Sequence, residues 1–156
     1  LKRNNKINNY LHNCSRCIIN LCLKENIGNI VIGKNKGWKK EINIGKRNNQ
    51  NFVQIPHSRF IEMLSYKAEL VGIEVLETEE SYTSKCSFLD DEPVKKHEKY
   101  AGRRIKRGLF KSAKNILINA DVNGSLNIAK KIKKVVSNWI FPDEIEASSV
   151  PYRIFI

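Results

Sequence analysis

The sequence predicts an α/β fold, because segments of helical and strand periodicity alternate along it. Glycine and proline also fall at the joints, and a run of acids gathers just past a predicted strand end, where α/β proteins often place their chemistry. The first helix is expected over about residues 5–25. Ile7, Tyr10, Leu11, Cys14, Cys17, Ile18, Leu21 and Cys22 recur at steps of three and four there, and Asn26 with Gly28 marks the stop. The short apolar run Asn29-Ile30-Val31-Ile32-Gly33 reads as a buried strand, and the polar, Asn-rich stretch from Lys34 to Asn51 as loop. Pro56 suits the first turn of a second helix, with Phe60, Ile61, Leu64, Ala68 and Val71 on one face and Gly72 at its end. Ile73 to Thr78 alternates and is β-branched enough for a strand. Residues 86–102 look irregular, and the stretches 104–110 and 115–118 could pair as a basic hairpin. A last helix starts near Asp121 and carries Val122, Leu126, Ala129, Ile132 and Val136 at helical steps.

At 156 residues the chain has the length of one domain. It is 41% hydrophobic and 28% charged, a globular composition, and no stretch approaches the roughly 20 apolar residues of a membrane span. No signal-peptide pattern opens it, so the expected compartment is the cytoplasm. A net charge of +12 favours a polyanionic partner, because cations beside phosphates release condensed counterions. A membrane surface fits less well, since the basic runs are not amphipathic helices with bulky apolar residues opposite the charge.

Cys14, Cys17 and Cys22 lie within nine residues, and Cys86 stands apart. A CxxC can be half a zinc site or a redox motif. On the apolar stripe of a helix, however, free cysteines read better as small buried hydrophobes.

The charge is uneven. Between Lys95 and Lys114 stand nine Lys or Arg against one acid, which contributes +8 of the total. Lys95, Lys96, Lys99, Arg103, Arg104, Lys106, Arg107 and Lys111 are the candidate nucleic-acid contacts, with Tyr100 and Phe110 interleaved as stacking surfaces. A solvated charged face is the alternative. The acids Glu74, Glu77, Glu79 and Glu80 come just before, Asp90, Asp91 and Glu92 follow, and Asp121 opens the last helix. Carboxylates that hold magnesium, close in sequence to cations that hold a polyanion, suit metal-dependent phosphodiester chemistry. Asp121 is equally placed to be a helix N-cap.

Two segments resemble the OrfB (TnpB-like) family of bacterial insertion sequences. One runs from Tyr66-Lys67-Ala68-Glu69 through Glu79-Glu80-Ser81-Tyr82-Thr83-Ser84-Lys85-Cys86-Ser87, and the other is Asn119-Ala120-Asp121-Val122-Asn123-Gly124-Ser125-Leu126-Asn127-Ile128-Ala129. The resemblance implies a RuvC-like nuclease domain with an RNase H-like fold. Its bearer would be a transposase-type protein acting as an RNA-guided, magnesium-dependent DNA endonuclease in transposition and DNA recombination. It implies DNA, and in full-length relatives guide RNA, as partners. It makes Asp121 the third carboxylate of the site. Most members carry the second on the strand represented by Ile30-Val31-Ile32, at a position where this chain has Gly33. One branch carries a glutamate just before the Thr-Ser turn, which points to Glu80, with Glu79 as the alternative. Magnesium would then lie on Glu80 and Asp121.

Two departures qualify the resemblance. Many relatives hold a zinc ribbon with two CxxC pairs between the second and third carboxylates, whereas here Cys86 is followed by no further cysteine, so no zinc is expected. The first carboxylate would belong to a strand preceding Leu1, so the expected domain is incomplete, lacking its first strands. It would span residues 1–136 with a basic insert at about 86–118, followed by a tail over 137–156. On that reading the 156 residues alone do not cleave DNA, and a non-catalytic basic remnant that still binds nucleic acid is the alternative.

Overall fold

In the computed structural model the residues described are 2–34 and 56–133. The expected loop over 34–51, apart from Lys34, and the tail over 137–156 lie outside them. The elements run α1 (Lys2–Lys24), β1 (Asn29–Gly33), α2 (His57–Glu69), β2 (Glu74–Thr78), β3 (Arg103–Lys106), β4 (Leu109–Lys111), β5 (Leu117–Asn119) and α3 (Ala120–Lys133). The helix and strand alternation of an α/β protein is therefore present, and no helix among the described residues is long and apolar enough to cross a membrane. The described residues divide into two compact units, one on residues 2–30 and 56–76, the other on 31–34 and 77–133.

In the first unit α1 packs against α2. The buried line of α1 is Ser15, Ile19 and Cys22, at helical steps. Cys14 and Cys17 flank it half-buried, all four cysteines of the chain are free, and Tyr10 is 60% exposed. The predicted stripe was therefore slightly too wide: Tyr10 belongs to the solvent side, and a serine sits at the centre of the helix contact. Ser15 is tolerated there because Lys67 of α2, 4% exposed, reaches it. The Lys67 ammonium donates to Ser15 Oγ at 2.6 Å and to the His12 carbonyl at 2.8 Å. Met63, Leu64 and Ala68 bury beside Lys67, and Gly72, at φ +75°, makes the left-handed turn that ends the helical segment.

Burial and the neighbouring Arg16 charge lower the Lys67 pKa from its ordinary value. Between that lowered value and the ordinary value near 10.5, the unfolded chain binds more protons than the folded one, so the lysine makes stability rise with pH across that alkaline window. Lys67→Met is expected to flatten that rise relative to the parent, as read by urea unfolding across the window. Identical pH profiles for parent and variant would count against it.

β1 and β2 form a two-stranded sheet. Glu74 N donates to Gly28 O at one end and Lys34 N to Thr78 O at the other, so the strands run in the same direction, and the intervening α2 is the crossover such a pair requires.

In the second unit β3, β4 and β5 form an antiparallel sheet in that order, with Phe110 opposite Arg104 on one side and Ile118 on the other. The expected two-stranded hairpin is thus three-stranded. Gly108, at φ +75°, folds the basic run back on itself between Lys106 and Leu109, a turn the charge pattern hides. Phe110 and Ile118 bury on the inner face with Ala120, against Leu89, Val122 and Leu126. A Cβ at Gly102 would lie 2.4 Å from the Phe110 ring, so that glycine is what lets the ring close onto the backbone. Phe110, at 1% exposure, is core and not the stacking surface the sequence suggested, because strand alternation turns it to the face opposite its chain neighbour Lys111.

Candidate functional site

Past the end of β2 the chain enters a tight turn. Thr83 donates through both its N–H (3.2 Å) and its hydroxyl (2.7 Å) to the Glu80 carbonyl, while Tyr82 takes the left-handed conformation at φ +65°. A bulky residue held there is a local strain that the surroundings must fix. They do so from α3. The Lys131 ammonium donates to the carbonyls of Glu79 (2.8 Å) and Ser81 (2.9 Å), on either side of Glu80. Asn127 Nδ2 donates to the carbonyls of Thr83 and Cys86. Asn123 accepts from Phe88 N–H and donates to Cys86 O. Both asparagines are fully buried. The sequence contains them at i and i+4 of a helix, which is the only hint of their role; neither could be foreseen as the tie that holds the turn.

Glu79 is exposed and Glu80 half-buried. A Cβ built on Gly33 would lie 2.8 Å from Glu80 Oε2, 2.9 Å from Glu80 Cβ and 2.8 Å from Ile128 Cδ1. The glutamate therefore fills the space that a side chain at position 33 would need.

Asp121 lies in the first turn of α3, its side chain 86% exposed and 3.7 Å from Arg104. It is not the cap of that helix. Asn119 Oδ1 accepts from the N–H groups of Asp121 (2.8 Å) and Val122 (3.2 Å), so the capping role that the sequence left open for Asp121 is taken by Asn119. Asp121 is thereby left pointing into solvent.

Three of the eight predicted cations come together, and the other five are dispersed. Lys99, Arg103 and Lys111 meet around a cleft of about 300 Å³ that Tyr100, Ser112 and Asn115 also line. Arg103 and Lys111 are direct cross-strand partners, a placement that costs free energy unless an anion screens it. None of the three has a carboxylate partner among the described residues. Lys95 and Lys96 are exposed in the irregular segment, Lys106 and Arg107 are exposed at the β3–β4 turn, and Arg104 leans towards Asp121.

No group of three or more His, Cys, Asp or Glu that could hold a metal occurs among the described residues. Magnesium does not need one: it commonly takes one or two carboxylates and completes its shell with water and phosphate. Glu80 and Asp121 are donors of that kind. Zinc does not fit, since Cys86 has no second thiol near it in the sequence and its Sγ lies 3.5 Å from two carbonyls, of Pro93 and Lys95.

The family model for the Cas12f1-like TNB domain matches residues 57–128, a span that holds nearly all of both motif segments. The chain is OrfB (TnpB)-like. Among solved structures this OrfB-like chain resembles the Cas12f1 protein of a Cas12f1–sgRNA–target DNA complex, with a TM-score of 0.59 and 20% identity. The likeness covers 81% of this chain and 34% of that one, so the OrfB-like chain spans about a third of its neighbour's length, and at this identity it shows the fold alone. No curated protein matches.

Proposed function

We propose that the chain is part of a transposon-encoded, RNA-guided DNA endonuclease, carrying a RuvC-like, RNase H-like domain. In it Glu80 and Asp121 hold magnesium and the cationic sheet grips a nucleic-acid strand. The observation that carries this reading is the seat of Glu80: its carboxylate occupies the side-chain space of Gly33, the strand position where the family resemblance places the second metal ligand. A carboxylate thus reaches the same place from the neighbouring turn. The release of Asp121 from capping supports it as the partner ligand.

Bound magnesium would supply charge neutralisation at the scissile phosphate and a more acidic water. The protein's own part is to fix the two carboxylates and to position the strand through the cations of Lys99, Arg103 and Lys111. With Glu80 and Asp121 as its metal-holding carboxylates, the 156-residue chain is expected to bind DNA and not to cleave it.

A second reading, a non-catalytic basic module, is favoured by the cation-lined cleft alone. One titration separates the two. DNA affinity is measured at several salt concentrations, with and without magnesium at constant ionic strength. On the nuclease reading magnesium tightens binding by the parent but not by Glu80→Gln, whereas the basic module is indifferent to the metal. In either case, replacing Lys99, Arg103 and Lys111 by alanine should lower the salt-dependence slope on duplex DNA by about 2 to 3. A slope unchanged by the triple variant would remove the cleft from the interface.

A further inference from the structure

The insert between the Thr-Ser turn and α3 is drawn together at three distant points by two carboxylates. Glu92, 7% exposed, accepts from Ser87 N–H at 2.7 Å through one oxygen and from Ala101 N–H at 3.0 Å through the other. Asp90 accepts from the Ser87 hydroxyl at 2.5 Å and from Ala113 N–H at 2.7 Å. Residues 87, 101 and 113 are thereby pinned to one short acidic turn. Glu92 N–H closes that turn onto Ser87 O, and Lys130 of α3 anchors it through Asp91 and the Glu92 carbonyl. Joining two ends of an insert through one compact anchor is what a structural zinc does with four ligands. Here the anchor is charge-assisted hydrogen bonding to backbone N–H groups, the stronger class of hydrogen bond.

The one cysteine nearby behaves as part of the packing. Cys86 is fully buried, its thiol faces the carbonyls of Pro93 and Lys95, and burial pushes its pKa up, away from the thiolate that a metal would need. For Asp90, burial alone would raise the carboxyl's pKa. The hydrogen bonds from Ser87 and Ala113, with the nearby Lys114, outweigh it, so the net shift is downward and the carboxylate is the form held in the fold.

We propose that the insert is a metal-independent fold, cross-linked by the carboxylates of Glu92 and Asp90 in the role that zinc fills elsewhere. Ala101 and Ala113, the far ends of the cross-link, line the cationic cleft, so the same carboxylates shape it. The folding claim stands apart from the nuclease reading, and its test needs no DNA.

The 156-residue chain is produced in zinc-supplemented medium, its metal content is measured by mass spectrometry, and its thermal unfolding is followed with and without a zinc chelator. Far less than one zinc per chain and an unchanged Tm are expected. Glu92→Gln, which turns one acceptor oxygen into a donor facing a donor, should lower Tm by about 4–8 °C. Cys86→Ser, whose hydroxyl can donate to the same carbonyls, should shift it far less. Stoichiometric zinc with a chelator-sensitive Tm overturns the proposal, as does a Cys86→Ser loss equal to that of Glu92→Gln. If Glu92→Gln does not fold at all, the parent's metal content and chelator response decide.

Discussion

Glu80→Ala is expected to weaken manganese or magnesium binding by at least about tenfold, since even groups behind a metal ligand typically account for 10- to 100-fold in affinity. Gly33→Asp, although it adds a carboxylate to the strand, should also fail. Its Cβ would stand within 3 Å of Glu80 Cβ, Glu80 Oε2 and Ile128 Cδ1, and such overpacking costs about 1–3 kcal/mol. The exchange of both residues is the informative variant. Gly33→Asp with Glu80→Gly removes two of the three clashes, leaves only the flexible tip of Ile128 to yield, and returns an acid to the same space. Metal affinity by isothermal titration should recover in the exchanged protein. Recovery absent in a protein that is folded by circular dichroism would mean that the site of Glu80 and the position of Gly33 are not interchangeable.

Asn127→Ala is expected to destabilise the second unit by about 2–4 kcal/mol, because it withdraws a buried donor from two carbonyls, those of Thr83 and Cys86. Asn123→Ala should cost about as much, since in each variant Cys86 O keeps its bond from the other asparagine and one buried group, Thr83 O or Phe88 N–H, is left unmet. Asn127→Asp keeps the volume but turns a donor into a second acceptor beside two carbonyls, and it should be no milder than the alanine. Urea unfolding of the three variants gives the order directly, and an exposed-site cost below about 0.5 kcal/mol for Asn127→Ala would contradict the buried ties described above.

The long periodic elements were legible in the sequence. The helices were anticipated close to their observed bounds, as were the strands Asn29–Gly33 and Glu74–Thr78, because apolar spacing and flanking glycines record burial locally. The site was legible only in its residues. Glu80 could be favoured over Glu79, and Gly33 noted as a gap, but the meeting of the two requires β1, the turn after β2 and α3 to converge, which no local pattern encodes. The same holds for Lys131, whose charge looks like any solvated lysine until its acceptors are seen to be the carbonyls flanking Glu80. Capping stays open in the sequence for a related reason: Asn119 and Asp121 are both good caps by type, and only the backbone path decides which oxygen reaches the free N–H groups. The hairpin was misjudged because cations dominate the composition there, while the turn depends on one glycine, Gly108.

Entry to the insert, at Thr83 and Cys86, and exit from it, at Asn119, are all held by one helix, through Asn127, Asn123 and the first N–H groups of α3. Everything between those moorings hangs from α3 as a cassette. Its length, charge and internal cross-linking can change without moving the residues at either mooring, so on the proposed function the grip on a nucleic acid is tunable apart from Glu80 and Asp121.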